Sequence, residues 1–545
     1  QLFISMTHQK VLQALRQADY LSPKYHVVIA NPPYMGGKGM NGRLGAWAKD
    51  NYPNSKSDLF AMFIERNLDL AQKHGTIAMI TMQSWMFLLS FEVLRLKVLD
   101  QNTLLSMAHL GARAFDSIGG EVVSTTAFVA RNSMVQDFEG SYVRLVDGKS
   151  ETEKREALLQ AAKNPDCDWS FKTSAKTFQK IPSSPIAYWV SEGMADCYVR
   201  GELLSTVAPA KLGMRTGNNS KWLRLWHEIS DDLTNVSATS SEDAKESCKK
   251  WFPYNKGGEF RRWYGNNDYM VFWENDGYEI KCETLEKYPQ LSWDNLGWKI
   301  TNEADFFKPS LTWSFVSSSN FGVRASLGGA LFDVGGSSAF PKPNQYWVIA
   351  GFLCSCLSFE FLKLSNPTLN FQVANINSLP WCGAGGRESE LNIVVKRLVD
   401  IGRSDWDSYE TSWDFTSLPL LNPDYRQSAL KATYQKLRAH WQEMTLEMQR
   451  LEKENNHIFI EAYGLKDELN EKVDLNEITL TCNPHYRYGN DKCEDELEAL
   501  LLADTMRELV SYAVGCMFGR YALDKPGLIL ANQGETIEDY LKRVP

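Results

Sequence analysis

The chain has 545 residues and carries 58 lysines and arginines against 67 aspartates and glutamates, a net charge of −9. Apolar residues make up 43% of the sequence and charged residues 23%, which excludes wholesale disorder and a protein that is basic throughout. A nucleic-acid-binding surface is still compatible with this charge, because such a surface is a local patch.

The length predicts three or four domains. The ten cysteines are scattered without a framework spacing, which indicates a reducing compartment. The longest apolar stretches, 77–91 and 347–362, contain polar residues and are too short to span a bilayer, so both are predicted core segments. We therefore expect a cytoplasmic protein without membrane contact. Because a predicted core strand follows soon after Gln1, we also expect the chain to be a fragment of a longer protein.

The first 150 residues alternate between predicted strands and helices. An apolar helical stripe lies within residues 6–20, and the β-branched run Tyr25–Ala30 is typical of a buried parallel strand. Helices are then predicted over 59–72 and 92–102, and strands over 76–81, 104–110 and 122–131. This order predicts the C-terminal half of a doubly wound α/β domain over residues 1–150, with the other half upstream of Gln1.

The rest of the chain divides into three predicted segments. Residues 151–202 are polar and partly helical, and are predicted to connect two domains. Residues 203–381 are rich in Trp, Asn and Gly and contain short strands, which predicts an α+β module. Within 382–545, apolar residues spaced alternately four and three apart run from Leu430 to Leu451. They predict a long helix that packs either in a bundle, with a helix over 495–512 as its mate, or in a coiled-coil dimer.

The strongest chemical signal is Asn31-Pro32-Pro33-Tyr34, which directly follows the first predicted strand. In open α/β sheets, ligands bind at the carboxyl ends of the strands. The Asn31 side-chain oxygen and the Pro32 carbonyl are two acceptors suited to the exocyclic amine of adenine, and prolines fix the backbone that carries them. Tyr34 is suited to stacking on a base. The alternative is an ordinary tight turn, with Asn31 capping it and Tyr34 packing inside.

An amine inside a duplex is out of reach of such a site, so the base would have to be flipped out. A second aromatic residue would help to hold it. Phe115 follows another predicted strand of the same sheet and is our candidate. The alternative for Phe115 is a core aromatic beneath a loop.

Several stretches resemble those of the adenine-specific, S-adenosylmethionine-dependent DNA methyltransferases with an Asn-Pro-Pro-Tyr motif, and most closely those of the large enzymes of BREX phage-defence systems. The stretches that carry the resemblance are Asn31–Tyr34, Asp58–Phe60, Gly75–Ile80, Thr125–Val129 and, in the tail, Ser511–Tyr521. The resemblance covers most of the chain. It implies a partial Rossmann-like methyltransferase domain, followed by an α+β target-recognition domain over 203–381 and a helical C-terminal region.

The resemblance also implies roles for single residues. Asn31, Pro32 and Tyr34 correspond to the residues that engage the adenine, and Phe115 corresponds to the aromatic residue that stacks on it. The implied methyl donor is S-adenosylmethionine. The sequence departs from the family pattern in one serious respect, because the Gly-rich donor-binding motif that precedes the catalytic motif is not present in residues 1–30.

Further residues are candidates for contact with double-stranded DNA. Lys38 and Arg43 lie on the loop after the motif and could contact phosphates, or could simply form a solvated surface. Arg215, Thr216, Asn218 and Asn219 open the middle module; arginine reads guanine and asparagine reads adenine, whereas the alternative is a polar turn.

Arg261 and Arg262 precede two aromatic residues, as on a nucleic-acid surface. The alternative is a packed core edge with long charged side chains. Cys482, His485 and Cys493 do not complete a four-ligand zinc spacing, so no metal site is predicted.

The sequence therefore predicts a site-specific DNA adenine methyltransferase. The alternatives are a DNA-recognition subunit without catalysis, and a methyltransferase acting on RNA or on protein glutamine. By analogy, other BREX components and DNA-mimicking inhibitor proteins of phages are further partners.

Overall fold

The computed structural model describes residues 2–116, 123–316, 320–365 and 370–544. These residues form two compact units. Unit 1 contains the described residues from 2 to 200 together with 364 and 365, and unit 2 contains those from 201 to 363 and from 370 to 544.

Unit 1 combines a sheet of six strands with seven α-helices among its described residues. Its strands are β1 (Tyr25–Ala30), β2 (Ala71–Met82), β3 (Thr103–Gly111), β4 (Thr125–Arg131), β5 (Glu139–Arg144) and β6 (Ser170–Ser174). Its helices are α1 (Leu2–Leu21), α2 (Gly42–Asn51), α3 (Leu59–Leu70), α4 (Glu92–Gln101), α5 (Glu151–Lys163), α6 (Ala175–Gln179) and α7 (Glu192–Arg200).

The strand order is β1-β2-β4-β3-β5-β6. The β1–β2 and β3–β5 pairs are parallel, and β4 runs antiparallel to both of its neighbours. The sheet is therefore mixed. The α/β class predicted from the sequence is confirmed, whereas the detailed domain layout is not. Because β4 reverses the direction twice, β1, β2, β3 and β5 all point their carboxyl ends toward the same edge of the sheet.

One face of this sheet carries the core. Met79 on β2, Met107 on β3 and Phe128 on β4 pack with Phe60 of α3 and Leu94 of α4. Strand residues that point to this face alternate with half-buried residues on the other face, which is the period of two expected of a strand.

Two predicted segments differ from the structure in extent. The predicted strand over 122–131 is observed from Thr125, and residue 122 lies outside the described residues. The segment 151–202, predicted as a connector, contributes α5, α6, α7 and β6, and β6 pairs with β5 in the sheet. Its polar composition is explained by α5, which buries only Lys154 and Ala161.

Unit 2 contains short strands and longer helices. Its strands are β7 (Glu202–Leu203), β8 (Ala210–Lys211), β9 (Leu223–Leu225), β10 (Trp251–Asn255), β11 (Tyr269–Phe272), β12 (Ser310–Trp313), β13 (Val323–Ser326), β14 (Leu331–Phe332), β15 (Ser338–Ala339) and β16 (Pro380–Trp381). They form two four-stranded sheets, β14-β10-β11-β9 and β13-β12-β15-β8, and the pair β16-β7.

The helices of unit 2 lie mostly in its C-terminal part. They are α8 (Asn219–Trp222), α9 (Ser241–Glu246), α10 (Glu274–Lys287), α11 (Tyr346–Cys354), α12 (Cys356–Ser365), α13 (Val373–Asn377), α14 (Glu388–Trp406), α15 (Leu430–Tyr463), α16 (Pro484–Tyr488), α17 (Glu494–Met517) and α18 (Ile537–Arg543).

The heptad-patterned helix is α15. Leu437, Trp441 and Met448 of its apolar seam are buried, and α15 packs against α14. Arg438 of α15 also pairs with Glu498 of α17 at 2.5 Å. Most of the seam is therefore covered within unit 2, as in a bundle, whereas Leu430 at its start is exposed.

No single helix among the described residues has the length and apolar character needed to cross a membrane, although the bent pair Pro343–Cys354 and Cys356–Leu364 meets that requirement jointly.

Candidate active site at the carboxyl edge of the sheet

The Asn-Pro-Pro-Tyr motif begins where β1 ends. Asn31 and Pro33 are exposed, Pro32 is buried and Tyr34 is half-buried. Since neither proline has a backbone N–H, this stretch offers acceptors and few donors. The Asn31 amide therefore projects from the end of an ordered strand, next to carbonyl groups whose direction is fixed by the proline rings.

Asp58 anchors the chain that follows the motif. Its carboxylate Oδ1 accepts a hydrogen bond of 2.9 Å from the Met35 N–H and a longer one of 3.4 Å from the Phe60 N–H. The Leu59 N–H donates in turn to the Met35 carbonyl at 3.0 Å. Asp58 is the N-cap of α3, so one side chain both begins this helix and fixes the end of the motif.

No role was predicted for the Asp58 side chain, although its position before α3 has a recognisable sequence pattern. An aspartate immediately before an amphipathic helix is the pattern of an N-cap. The second bond, to Met35, joins residues 23 positions apart and has no local signature.

Tyr34 lies against the first turn of α3. Its ring meets the Phe60 ring edge to face, with centroids 6.1 Å apart and planes at 85°. Burial raises the pKa of the Tyr34 hydroxyl, which keeps it protonated. The hydroxyl oxygen is buried and has no hydrogen-bond partner among the described atoms. A bound ligand or a water molecule would supply that bond.

Lys38 and Arg43 lie beyond the motif on its exposed side. Lys38 lies in a short 3-10 turn over Gly37–Gly39, and Arg43 lies in the first turn of α2, which Asn41 caps. Both side chains are exposed. They are therefore accessible to an anion that approaches the loop from solvent.

A buried polar network ties the ends of β2 and β3 together. His109 on β3 is 2% exposed; its Nδ1 lies 2.9 Å from the Tyr188 hydroxyl and its Nε2 lies 2.7 Å from Gln83 Oε1. Burial, with the positive charges of Arg144 and Lys154, lowers the pKa of His109 to about 3. The imidazole is therefore neutral, so Nε2–H donates to Gln83 and Nδ1 accepts from Tyr188.

This network was not predicted from the sequence. Tyr188 is 79 residues from His109, and Gln83 is 26 residues away. A lone histidine within a strand gives no sign of partners at such separations.

Phe115 is half-buried and lies four residues beyond the end of β3. The loop that carries it turns through two residues with positive φ, Gly111 at +66° and Arg113 at +58°. In the strand order, β2 and β4 lie between β1 and β3. At about 4.8 Å per strand, Asn31 and Phe115 follow strands roughly 14 Å apart at the same edge, a spacing that leaves room for a flat ligand between the two loops.

The Arg215–Asn219 stretch of unit 2 forms an internally bonded turn. The Arg215 guanidinium donates to the Trp298 carbonyl at 2.6 Å and lies 5.4 Å from the centre of the Trp298 ring. The Thr216 hydroxyl donates to Asn219 Oδ1 at 2.6 Å, and the Asn218 side chain caps α8. Arg215 and Asn218 are half-buried and Asn219 is exposed, whereas Thr216 is buried. Only part of the predicted contact set therefore reaches the surface.

Arg261 and Arg262 have different surroundings, since each is only 7% exposed. The Arg262 guanidinium bonds to Glu452 at 2.8 Å and to Glu477 at 2.9 Å. Arg261 donates to the Thr479 carbonyl at 3.1 Å. These contacts match the alternative weighed for the pair, a packed core edge, because both charges are already engaged inside unit 2.

Comparison with known proteins adds three findings. A family model described as the Eco57I restriction-modification methylase matches residues 5–115. The adenine-specific methyltransferase PglX of Lacticaseibacillus casei (strain Zhang) is 37% identical over 546 residues, which cover 99% of this chain and 43% of that protein. The adenine-specific methyltransferase BrxX of Escherichia coli O9:H4 (strain HS) is 37% identical over 532 residues, covering 96% of this chain and 41% of that protein.

The chain thus spans about two fifths of the length of these relatives. Among solved structures, the type IIL restriction-modification enzyme MmeI in complex with DNA is similar with a TM-score of 0.48 and 12% identity. That similarity covers 82% of this chain and 55% of that one.

Proposed function

Since the chain is a relative, over nearly its whole length, of the adenine-specific methyltransferases PglX and BrxX, we propose that it provides the base-binding side of a site-specific DNA adenine methyltransferase. The observation that carries the proposal is the Asn31–Tyr34 motif at the carboxyl end of β1, anchored to the start of α3 by Asp58. This is the edge at which an open α/β sheet binds its ligand.

The chemistry of the motif suits an exocyclic amine. Asn31 Oδ1 and the Pro32 carbonyl accept the two N–H bonds of the adenine amino group. With both hydrogens held, the nitrogen lone pair points away from the ring plane, toward the methyl group that it attacks. The prolines contribute by fixing the carbonyl directions before the substrate arrives, so that little reorganisation is needed in the transition state.

The target base leaves the duplex and enters between the two loops. Tyr34 and Phe115 are the flat surfaces that replace the lost base stacking, at roughly 1–3 kcal/mol for each stacked contact. That gain offsets the few kcal/mol needed to flip the base.

S-adenosylmethionine is the methyl donor that the relatives imply, and it supplies an electrophilic methyl group when bound. Residues 2–30, which precede the catalytic motif, do not carry the Gly-rich part of its site. On the outer side of the motif, β1 is the edge strand of the sheet, and Val27 and Ile29 on it are 57% and 78% exposed. A donor site needs a Gly-rich turn between a strand and a helix N-terminus, and α1 before β1 contains no glycine. We therefore assign to this chain the steps that involve the base.

Duplex DNA is the proposed partner. We assign the phosphate contacts beside the flipped base to Lys38 and Arg43, which are exposed, and the reading of base edges to the Arg215–Asn219 turn. The resemblance to the large BREX enzymes favours a role in bacterial defence against phages, in the cytoplasm. Acidic proteins that mimic DNA would compete for the same basic positions.

The test uses the protein expressed from its natural gene, incubated with duplex DNA and S-adenosylmethionine. Nucleosides from the digested DNA are then quantified by mass spectrometry. We expect N6-methyladenine with the natural protein and background levels with Asn31→Ala. Absence of methylated adenine in DNA, with transfer instead to RNA or to a protein, would overturn the proposal.

A further inference from the structure

The loop that carries Phe115 leaves β3 along a tightly specified path. Gly111 adopts a φ of +66°, and a Cβ there would lie 3.0 Å from Val146 Cγ1. The Leu145 N–H donates to the His109 carbonyl at 2.9 Å. The first residues of the loop therefore pack against the segment between β5 and α5.

Lys154 of α5 reaches back to the base of this loop. Its side chain is 3% exposed, although it carries a charge. The ammonium Nζ donates to the Leu110 carbonyl and to the Leu145 carbonyl, both at 2.7 Å. It thereby joins the end of β3 to the end of β5. The same burial lowers the pKa of Lys154, so this contact has an electrostatic cost that an ordinary apolar side chain would avoid.

Asp116, the residue after Phe115, is bonded to the same helix. The Asp116 Oδ1 accepts a hydrogen bond of 3.2 Å from the Glu151 N–H, which is the first backbone N–H of α5. A carboxylate at this position also interacts favourably with the helix dipole. Unlike Lys154, Asp116 is exposed, so its bond adds little to the core of unit 1.

We propose that the two contacts from α5, Lys154 to Leu110 and Glu151 to Asp116, act together as an anchor that positions Phe115 over the target base. Lys154 and Asp116 are thus positioning residues. Phe115 lies between the two anchored points, one on each side. This inference rests on the proposed function, since it assigns the anchor to the base-stacking step of that reaction.

The exposure of Asp116 indicates that the two contacts do more than stabilise the core of unit 1. The core of unit 1 is formed by apolar residues of the sheet, α3 and α4. A hydrogen bond at an exposed residue such as Asp116 contributes little to such a core. What the two bonds do restrict is the path of residues 110–116, and therefore the position of the Phe115 ring.

The experiment uses the protein expressed from its natural gene and two duplexes of the same sequence. One keeps the target adenine and reports the rate of methyl transfer, and in the other 2-aminopurine replaces the target adenine and reports base flipping by its emission. Four variants are compared with the natural protein: Asp116→Ala, Asp116→Asn, Lys154→Met and Phe115→Ala. Asparagine keeps an acceptor oxygen for the Glu151 N–H, so it serves as the conservative control. Lys163→Met, at the exposed end of α5, is the matched control for the lysine change.

We expect bright emission from a flipped but unstacked base in Phe115→Ala, and quenched emission in the natural protein. Asp116→Ala and Lys154→Met should move toward the bright level and lose kcat/KM. The expected loss is up to about 5-fold for the exposed Asp116 bond and at most about 150-fold for buried Lys154, the upper limit of one base-stacking contact. Asp116→Asn and Lys163→Met should stay at the natural level. Because Asp116 is exposed, Asp116→Ala is expected to fold even where Lys154→Met does not.

The inference fails if Asp116→Ala keeps natural emission and kcat/KM while Phe115→Ala changes both. It also fails if Asp116→Asn is as defective as Asp116→Ala. A natural protein that neither methylates the adenine duplex nor changes the emission of the 2-aminopurine duplex would instead refute the proposed function itself, so the two failures are distinct.

Discussion

Replacing Asp58 by alanine removes two contacts at once. The N-cap of α3 is lost, at a cost of about 1 kcal/mol. The Met35 N–H loses its 2.9 Å acceptor, which adds about 1 kcal/mol. We therefore expect Asp58→Ala to lower the free energy of unfolding by about 2 kcal/mol. For a unit of this size, that corresponds to a fall in Tm of roughly 4–8 °C.

The same change is expected to reduce methyl transfer more than stability. The Met35 bond fixes the residue directly after Tyr34, and a displacement of about 1 Å at a reacting group costs on the order of 100-fold in rate. Thermal unfolding and initial rates measured on the natural-gene protein test both effects. Asp58→Asn is the control, because asparagine caps helices as well as aspartate does. The reasoning is refuted if Asp58→Asn and Asp58→Ala behave alike, or if Asp58→Ala retains both Tm and rate.

Three further predictions concern charge. The pKa of His109 is lowered to about 3. Between pH 3 and pH 6.5 the unfolded chain therefore binds a proton that the folded chain does not, so the free energy of unfolding decreases as the pH is lowered through that range. Between pH 7 and pH 5 the free energy of unfolding should decrease by about 2 kcal/mol, measured by urea unfolding. An equal decrease in His109→Gln would contradict the assignment to His109. Arg262→Met leaves Glu452 buried without its partner, and should lower the free energy of unfolding of unit 2 by about 3–5 kcal/mol; an unchanged calorimetric transition would count against the buried pair. Replacing Lys38 and Arg43 by alanine should weaken DNA binding and reduce its log–log salt slope by about 2, and an unaltered slope would remove them from the phosphate contacts.

Elements with strong local signals were predictable from the sequence. The strand Tyr25–Ala30 is observed with the predicted bounds, because a β-branched run between a proline and the Asn-Pro-Pro motif has few other options. The prediction that it is buried is wrong, because β1 is the edge strand of the described sheet and Val27 and Ile29 are exposed. Helix α3 ends two residues before its predicted end, since β2 begins earlier than the apolar run indicated. The position of Asn31 at the carboxyl edge of the sheet was predicted from the same strand.

Features that depend on distant partners were not predictable. Arg262 bonds to Glu452, 190 residues away, so its local sequence was compatible with a nucleic-acid surface as well as with a packed core edge. Lys154 looked like one more polar residue in a connector, yet it is buried at the ends of two strands. In both cases a charged side chain is buried because carbonyl or carboxylate oxygens from elsewhere in the chain satisfy it.

Asn31 is proposed to bind the adenine that is methylated. This is tested by modified-base sequencing of DNA from cells that carry the natural gene, beside cells that carry its Asn31→Ala version. One sequence motif with N6-methyladenine is expected in the first strain and none in the second. Methylation of the same motif in both strains would contradict it.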